Sequence, residues 1–122
     1  FVDVAEDTMA ISYENIKSAI NKKTKAIVLV HALGFNGLND KIIELAKENN
    51  LILIEDCCEA HGATHSNKKV GSFGDMSCFS FYFGHHMTTI EGGMVSKTNT
   101  ATLILIPCSL LLYPDITCAV QK

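Results

Sequence analysis

The sequence has no cluster of lysine or arginine, and its weak net acidity (formal charge −3) excludes the basic surface that a nucleic-acid binder needs. Its opening, FVDVAEDTMA, lacks a basic segment leading into an apolar one, so no signal peptide is expected. It also lacks the cysteine spacing that staples small secreted domains. Cys57, Cys58, Cys78, Cys108 and Cys118 make an odd count without a framework, which fits a reducing cytosol and a cytoplasmic protein. No apolar run approaches the roughly 20 residues of a membrane span. The longest, the ten residues Leu103 to Leu112, is broken by Pro107. Internal repeats and low-complexity segments are absent as well.

What is present is enough for one small α/β core: 122 residues, 48% of them hydrophobic. FVDV (1–4) alternates like a short strand. Ser12 offers a helix N-cap before YENIKSAIN, where Ile16, Ala19 and Ile20 share one face. KAIVLV (25–30) is a continuous β-branched run, the pattern of a strand covered on both sides. Asn39 is placed to cap a helix over 40–49 with Ile42, Ile43, Leu45 and Ala46 as its buried stripe, and LILIED (51–56) is a second two-sided strand. This β-α-β-α-β order predicts parallel strands joined by right-handed crossovers. A loop and short helical turn, CCEAHGATHS, then leads through NKKVGSFGD to a strand at 76–83, an irregular loop GHHMTTIEGG, and a strand MVSK.

Two features predict an incomplete chain: it begins inside what reads as a strand, and residues 99–122 form an atypical apolar tail. The tail reads either as a buried or partner-covered strand, or as a terminus altered by frameshift or truncation.

The polar and titratable residues gather at the ends of apolar strands, and ligands of open α/β sheets bind beyond the carboxyl ends of strands. Asp56 ends such a strand. Its carboxylate either meets a cation, such as a pyridinium nitrogen that it keeps protonated, or caps the following turn through backbone N–H groups. Cys57, His61 and His65 recur every four residues and mimic a metal site, but no CxxC or HExxH completes it, so no metal is assigned. Ser80 is turned away from Phe79 and Phe81 and is either a phosphate donor or a back-bonded core serine. His85 and His86 sit in the next loop, where an imidazole serves as a general base; two adjacent histidines do not both face one pocket. Gly92 and Gly93 permit a turn that a β-carbon would forbid.

Taken together, EDCCEAHGA and VGSFGDMSCFSFYFGHHMTTIEGGMV resemble the DegT/DnrJ/EryC1/StrS family of sugar aminotransferases and dehydratases, and the upstream segments follow the same pattern. The resemblance covers residues 1–98. It implies part of the large domain of an aspartate-aminotransferase-like fold (type I of the pyridoxal phosphate enzymes), a mostly parallel sheet flanked by helices. It further implies that Asp56 pairs with the cofactor's pyridine nitrogen, that Glu59 lies beside the ring hydroxyl where Gln is common, and that Ser80 binds the cofactor phosphate. His85 falls where the aminotransferases have the lysine that tethers the cofactor, in a segment reading like KHxTTGEGG. Imidazole has no primary amine and forms no such tether, and Lys68, Lys69 and Lys97 lie away from that loop.

That exchange resembles the branch of 4-keto-6-deoxy-sugar 3-dehydratases. The branch implies pyridoxamine 5'-phosphate (or pyridoxal 5'-phosphate) as cofactor, a nucleotide-linked 4-keto-6-deoxy sugar as substrate, glutamate as amino donor, a homodimer, and a place in deoxysugar or surface-polysaccharide (lipopolysaccharide O-antigen) biosynthesis. One subclass carries a [2Fe–2S] cluster, and Cys58 sits near a position compatible with a ligand. A cluster needs four ligands; only Cys108 and Cys118 follow His85, so the cluster-free type is preferred. The rival readings are a sugar aminotransferase of the same family and an inactive, truncated relic. The fragment by itself is expected to be inactive.

Overall fold

The computed structural model describes residues 1–97 with their side chains and the backbone of Thr102–Pro107. Helix α1 (Tyr13–Ala19) starts where the Ser12 side chain accepts from the N–H of Asn15, and it buries only Ile16; Ala19 is exposed. Helix α2 (Asp40–Glu48) starts where Asn39 accepts from the N–H of Lys41 at 2.9 Å. Asp40 in its first turn and Lys47 in its last complement the helix dipole. Its buried residues, Ile42, Leu45 and Ala46, follow the i, i+3, i+4 spacing of one helical face.

The strands are β1 (Ala26–Val30), β2 (Ile52–Asp56), the short β3 (Thr64–His65) and β4 (Lys68–Lys69), then β5 (Met76–Ser80), β6 (Gly92–Lys97) and β7 (Thr102–Pro107). Five of them form one sheet in the order β1-β2-β5-β6-β7. β1, β2 and β5 run parallel, and β6 and β7 are antiparallel to their neighbours. β3 and β4 form a separate hairpin whose turn residues, Ser66 and Asn67, both have positive φ (46° and 62°), as a two-residue type I′ turn requires. The mostly parallel α/β sheet expected from the sequence is therefore present. The boundary expected between a domain at 1–98 and a tail at 99–122 falls between β6 and β7. Residues 98–101 and 108–122, including Cys108 and Cys118, lie outside the described residues.

Side chains alternate across the sheet. Ile27, Leu29 and Leu53 point to one face, where they join Ile16 of α1 and Ile42, Leu45 and Ala46 of α2 in the core. The other face is open: Val28, Val30 and Ile52 are about half exposed. The two-sided cover predicted for KAIVLV and LILIED is thus corrected, because the described residues bring helices to one face only. The predicted opening strand is corrected too. Val4 makes a single antiparallel bridge to Ile11 across a tight loop closed by Ala5 N–H to Ala10 O, because no neighbouring strand among the described residues offers FVDV a ladder. CCEAHGATHS forms turns instead of a helical segment, and β5 ends at Ser80, short of Phe83. Among the described residues no helix is long and apolar enough to cross a membrane.

One buried carboxylate organises the end of the sheet. Glu55 is fully buried in β2. Its Oε1 accepts from the backbone N–H of Phe73 (2.7 Å) and Gly74 (2.6 Å), and its Oε2 from the N–H of Gly71 (2.7 Å). The Nδ1 of buried His31 accepts from Gly37 N–H at 3.0 Å, so Nε2 carries the ring proton and donates to Glu55 Oε2 at 3.2 Å. The glycines of this loop are required: a Cβ on Gly71 (φ +85°) would lie 2.6 Å from Phe79, and one on Gly74 would lie 2.6 Å from the Leu53 carbonyl oxygen. Burial pushes the Glu55 pKa up, but the hydrogen bonds from His31 and from Gly74, Gly71 and Phe73 outweigh it and hold the carboxyl below 4.5.

A depressed carboxyl pKa stabilises the fold at pH values above its unfolded value, and this contribution is lost as pH falls through the lower, folded value. Glu55→Ala leaves three amides and an imidazole without their acceptor, and should lower the unfolding free energy by about 3–5 kcal/mol in urea titration at neutral pH. Glu55→Gln should cost less and should flatten the loss of stability on acidification below pH 4.5. An unchanged acid limb in Glu55→Gln would show that this carboxylate does not set it.

Candidate active site

Asp56 and Ser80 close β2 and β5. In the parallel register Asp56 pairs with Cys78, and Ser80 lies two residues further on, so all three side chains share the open face of the sheet. Strand geometry sets the Asp56 and Ser80 Cα atoms about 8 Å apart, a span suited to a substituted pyridine ring held by its nitrogen at one end and its phosphate at the other. Each makes a local bond: Asp56 Oδ1 accepts from Cys58 N–H at 3.1 Å, and Ser80 Oγ accepts from Tyr82 N–H at 3.2 Å. The turn-capping use of Asp56 is thus real, and it occupies one of the two carboxylate oxygens.

The loop after β5 is closed on itself between the ends of β5 and β6. Phe81 N–H donates to Gly92 O (2.9 Å), while Phe81 O accepts from Thr89 N–H (3.0 Å) and the Thr88 hydroxyl (3.1 Å). Gly92 reaches φ 148°, a value that β-carbons disfavour. Inside this closed loop His85 N–H donates to Tyr82 O, and the His85 ring stands edge-on to the Tyr82 ring with centroids 6.0 Å apart. His85 is half-buried and His86 is exposed, as two adjacent histidines require. Glu59 turns toward the end of β1. Its Oε2 accepts from Leu33 N–H at 2.7 Å and holds Leu33 in a left-handed conformation (φ 55°). The four candidate residues therefore lie beyond the carboxyl ends of β1, β2 and β5, with Asp56 and Ser80 on one face of neighbouring strands, His85 in the loop after β5, and Glu59 engaged by the loop after β1.

The described lysines nearest in sequence to this loop are committed elsewhere. Lys68 Nζ donates to Ser72 O and Lys69 Nζ to Gly62 O. Lys97 is paired with Met76, four residues and about 13 Å along β5 from Ser80. The four-residue stripe of Cys57, His61 and His65 is not gathered, because no helix forms there. Cys57 is buried in the core, His61 stacks on Phe79 and Phe81, and His65 bonds to Asp40 (2.7 Å) and Asn36 (2.9 Å). Burial, then His86 and His85, push the His61 pKa down, and its ring nitrogens find no partner among the described residues. Sequence reading missed His31 and Glu55. The usable signal was an ionisable residue in the middle of a strand, followed by a glycine-rich turn able to present several N–H groups to it.

The profile of the DegT/DnrJ/EryC1/StrS aminotransferase family matches residues 1–106. The chain is 48% identical over 103 residues to GDP-perosamine synthase of Escherichia coli O157:H7, covering 84% of this chain and 28% of that protein. It is 42% identical over 108 residues to GDP-4-keto-6-deoxy-D-mannose 3-dehydratase of Escherichia coli O55:H7, covering 88% of this chain and 28% of that protein. The solved structure of the E. coli GDP-4-keto-6-deoxy-D-mannose-3-dehydratase with bound hydrated PLP superposes with a TM-score of 0.75 at 40% identity, over 81% of this chain and 25% of that one. Sequence and fold together define an α/β chain of the sugar aminotransferase and dehydratase class. The chain belongs to the DegT/DnrJ/EryC1/StrS family, and it spans about 28% of the length of these curated relatives.

Burial, followed by the neighbouring Asp56 carboxylate, pushes the Cys58 thiol up to about 12; burial, followed by Glu55, does the same for Cys57. At pH 8 each is then about 10⁻⁴ thiolate, and thiolate is the reactive form. Iodoacetamide should label both about a thousandfold more slowly than an unhindered cysteine, as read by peptide mass spectrometry. Rapid labelling of Cys58 in the folded protein would contradict this placement.

Proposed function

We propose that the parent protein removes the C3 hydroxyl of a nucleotide-linked 4-keto-6-deoxy sugar as water with pyridoxamine 5'-phosphate, whose amine nitrogen is released as ammonia on hydrolysis, pyridoxal 5'-phosphate being the form left for recharging by glutamate. The observation that carries this reading is His85: an imidazole, not an amine, occupies the loop between β5 and β6. When bound, the protonated pyridine ring of the cofactor supplies a sink for the electron pair left by a breaking carbon–hydrogen bond. Asp56 keeps the ring nitrogen protonated through its carboxylate, Ser80 donates its hydroxyl to the phosphate, and Glu59 lies beside the ring hydroxyl. One ring nitrogen of His85 takes the proton from the C4′ carbon and, once protonated, gives it to the departing C3 hydroxyl, which leaves as water. An imidazole moves protons near neutral pH, which suits it to both halves of this shuttle.

The reading is of the cluster-free type. It carries with it a cytoplasmic homodimer acting in deoxysugar or surface-polysaccharide biosynthesis. A sugar aminotransferase is the second reading, favoured by the 48% identity to a GDP-perosamine synthase.

The test is an assay of the intact protein with several nucleotide-linked 4-keto-6-deoxy sugars, pyridoxamine phosphate and glutamate. A product lacking the C3 oxygen is expected, and His85→Asn should lower turnover by about 10²–10⁴-fold while the cofactor still binds. A product with an amino group in place of the ketone oxygen, or a lysine adduct trapped by borohydride with pyridoxal phosphate, would establish the aminotransferase instead.

A further inference from the structure

His61 is a titratable group that the proposed chemistry does not use. It lies in the turns after β2, where its ring stacks on Phe79 (centroids 5.9 Å apart) and on Phe81 (6.0 Å), the two residues that flank Ser80 in the chain. Both ring nitrogens are shut off from solvent and find no partner among the described residues. An unpartnered buried polar group costs about 1–3 kcal/mol, so its presence calls for a partner. The His86 ring stands edge-on to it, with centroids 6.4 Å apart. His86 is exposed, and turning its side chain to meet a His61 nitrogen is a change of rotamer alone. His85 has a different neighbour. Its ring stands edge-on to Tyr82 at 6.0 Å, and Tyr82 N–H donates to Ser80 Oγ at 3.2 Å. The two adjacent histidines are thus split, one beside His61 and the other beside Tyr82.

We infer that His61 is a positioning residue for the loop between β5 and β6: it hydrogen-bonds the His86 ring, and the anchored His86 fixes the backbone from which His85 works. The titratable groups that act on His61 are His86 and then His85, both from that loop, while Phe79 and Phe81 meet it with apolar rings. Burial, followed by these two histidines, holds the His61 pKa below its usual 6.5. At neutral pH its ring is therefore uncharged, with one nitrogen a donor and the other an acceptor. It accepts from a protonated His86 and donates to a neutral one, so the pair persists through the titration of His86. Backbone bonds already tie the loop at His85 (N–H to Tyr82 O) and at Thr89 (N–H to Phe81 O), and an anchor at His86 holds the stretch between them. The inference concerns the aim of His85, and so it rests on the dehydratase reading, in which His85 moves the proton.

The test uses the intact protein and two readouts. His61→Phe keeps an aromatic ring against Phe79 and Phe81 but removes both nitrogens. Its kcat should fall about 10–100-fold, with KM and cofactor affinity held within about twofold. His86→Phe, at an exposed position, should show the same loss, and the double variant no further loss. His61→Gln or His61→Asn, each of which returns an amide near one ring-nitrogen position, should recover most of the turnover. In the cofactor-free protein, nitrogen-15 NMR of the histidine rings above pH 7 should show His86 in one tautomer, replaced in His61→Phe by the averaged signals of a free imidazole. A His86 signal indifferent to His61→Phe, full turnover in that variant, or a loss that neither amide relieves would overturn the proposal. An unaltered protein that leaves the C3 oxygen in place would sink the dehydratase reading alone, because the ring signals are read without cofactor or substrate.

Discussion

A carboxylate sealed from water holds this end of the sheet together. Glu55 contributes no apolar surface, yet it occupies a core position, and only hydrogen bonds make that tolerable. Its four partners come from two places in the chain: the buried ring of His31 after β1, and the amides of Gly71, Phe73 and Gly74 before β5. In parallel sheets strand ends are joined by long connections, and here the β2-to-β5 connection contains only the small β3–β4 hairpin. The Glu55 cradle and the two Leu53–Asp75 bonds (Asp75 N–H to Leu53 O at 2.8 Å, Leu53 N–H to Asp75 Oδ2 at 2.9 Å) together fix where β5 begins, and the position of Ser80 follows from that start.

The next residue puts the same chain direction to a different use. Period-two alternation sends Glu55 into the core and Asp56 onto the open face. Glu-Asp thus places two neighbouring carboxylates on opposite faces: one is buried and bonded by His31 and backbone amides, and the other is half-buried, with its Oδ1 accepting from Cys58 N–H. The same alternation on β5 puts Ser77 and Phe79 beneath the sheet and Cys78 and Ser80 above it. The relatives in this family that the chain matches act on sugars attached to nucleotides, as their names state. The open apolar face and the ligand-ready residues at its rim belong to a chain that spans about 28% of such proteins.

The sequence disclosed the elements whose signals are local. Ser12 and Asn39 announced the helix starts because a capping oxygen acts within three residues. Strands β1 and β2 were legible from their apolar runs. What sequence could not disclose was partnership. FVDV has the alternation of a strand but no neighbour to pair with. KAIVLV has apolar residues for two faces, but covering segments reach one. The spacing of Cys57, His61 and His65 implied a shared face only if the segment were helical, and its glycine and turn residues disperse them instead. Glu55 escaped notice because its cradle is made of backbone amides, which carry no side-chain signature. Asp56, Glu59, Ser80 and His85 were singled out by motif resemblance, and the shared face of Asp56 and Ser80 follows from the strand register, which no single residue encodes.

The central claim is that Asp56, Ser80 and His85 form one cofactor site in which His85 handles protons and no lysine forms a tether. The most direct measurement is a crystal structure of the intact protein soaked with pyridoxamine 5'-phosphate. The account requires the ring nitrogen at Asp56, the phosphate at the Ser80 hydroxyl, and the His85 imidazole facing the C4′ carbon. A cofactor lodged elsewhere, an imidazole turned away from it, or a lysine Nζ bonded to the cofactor carbon in crystals soaked with pyridoxal phosphate would contradict it.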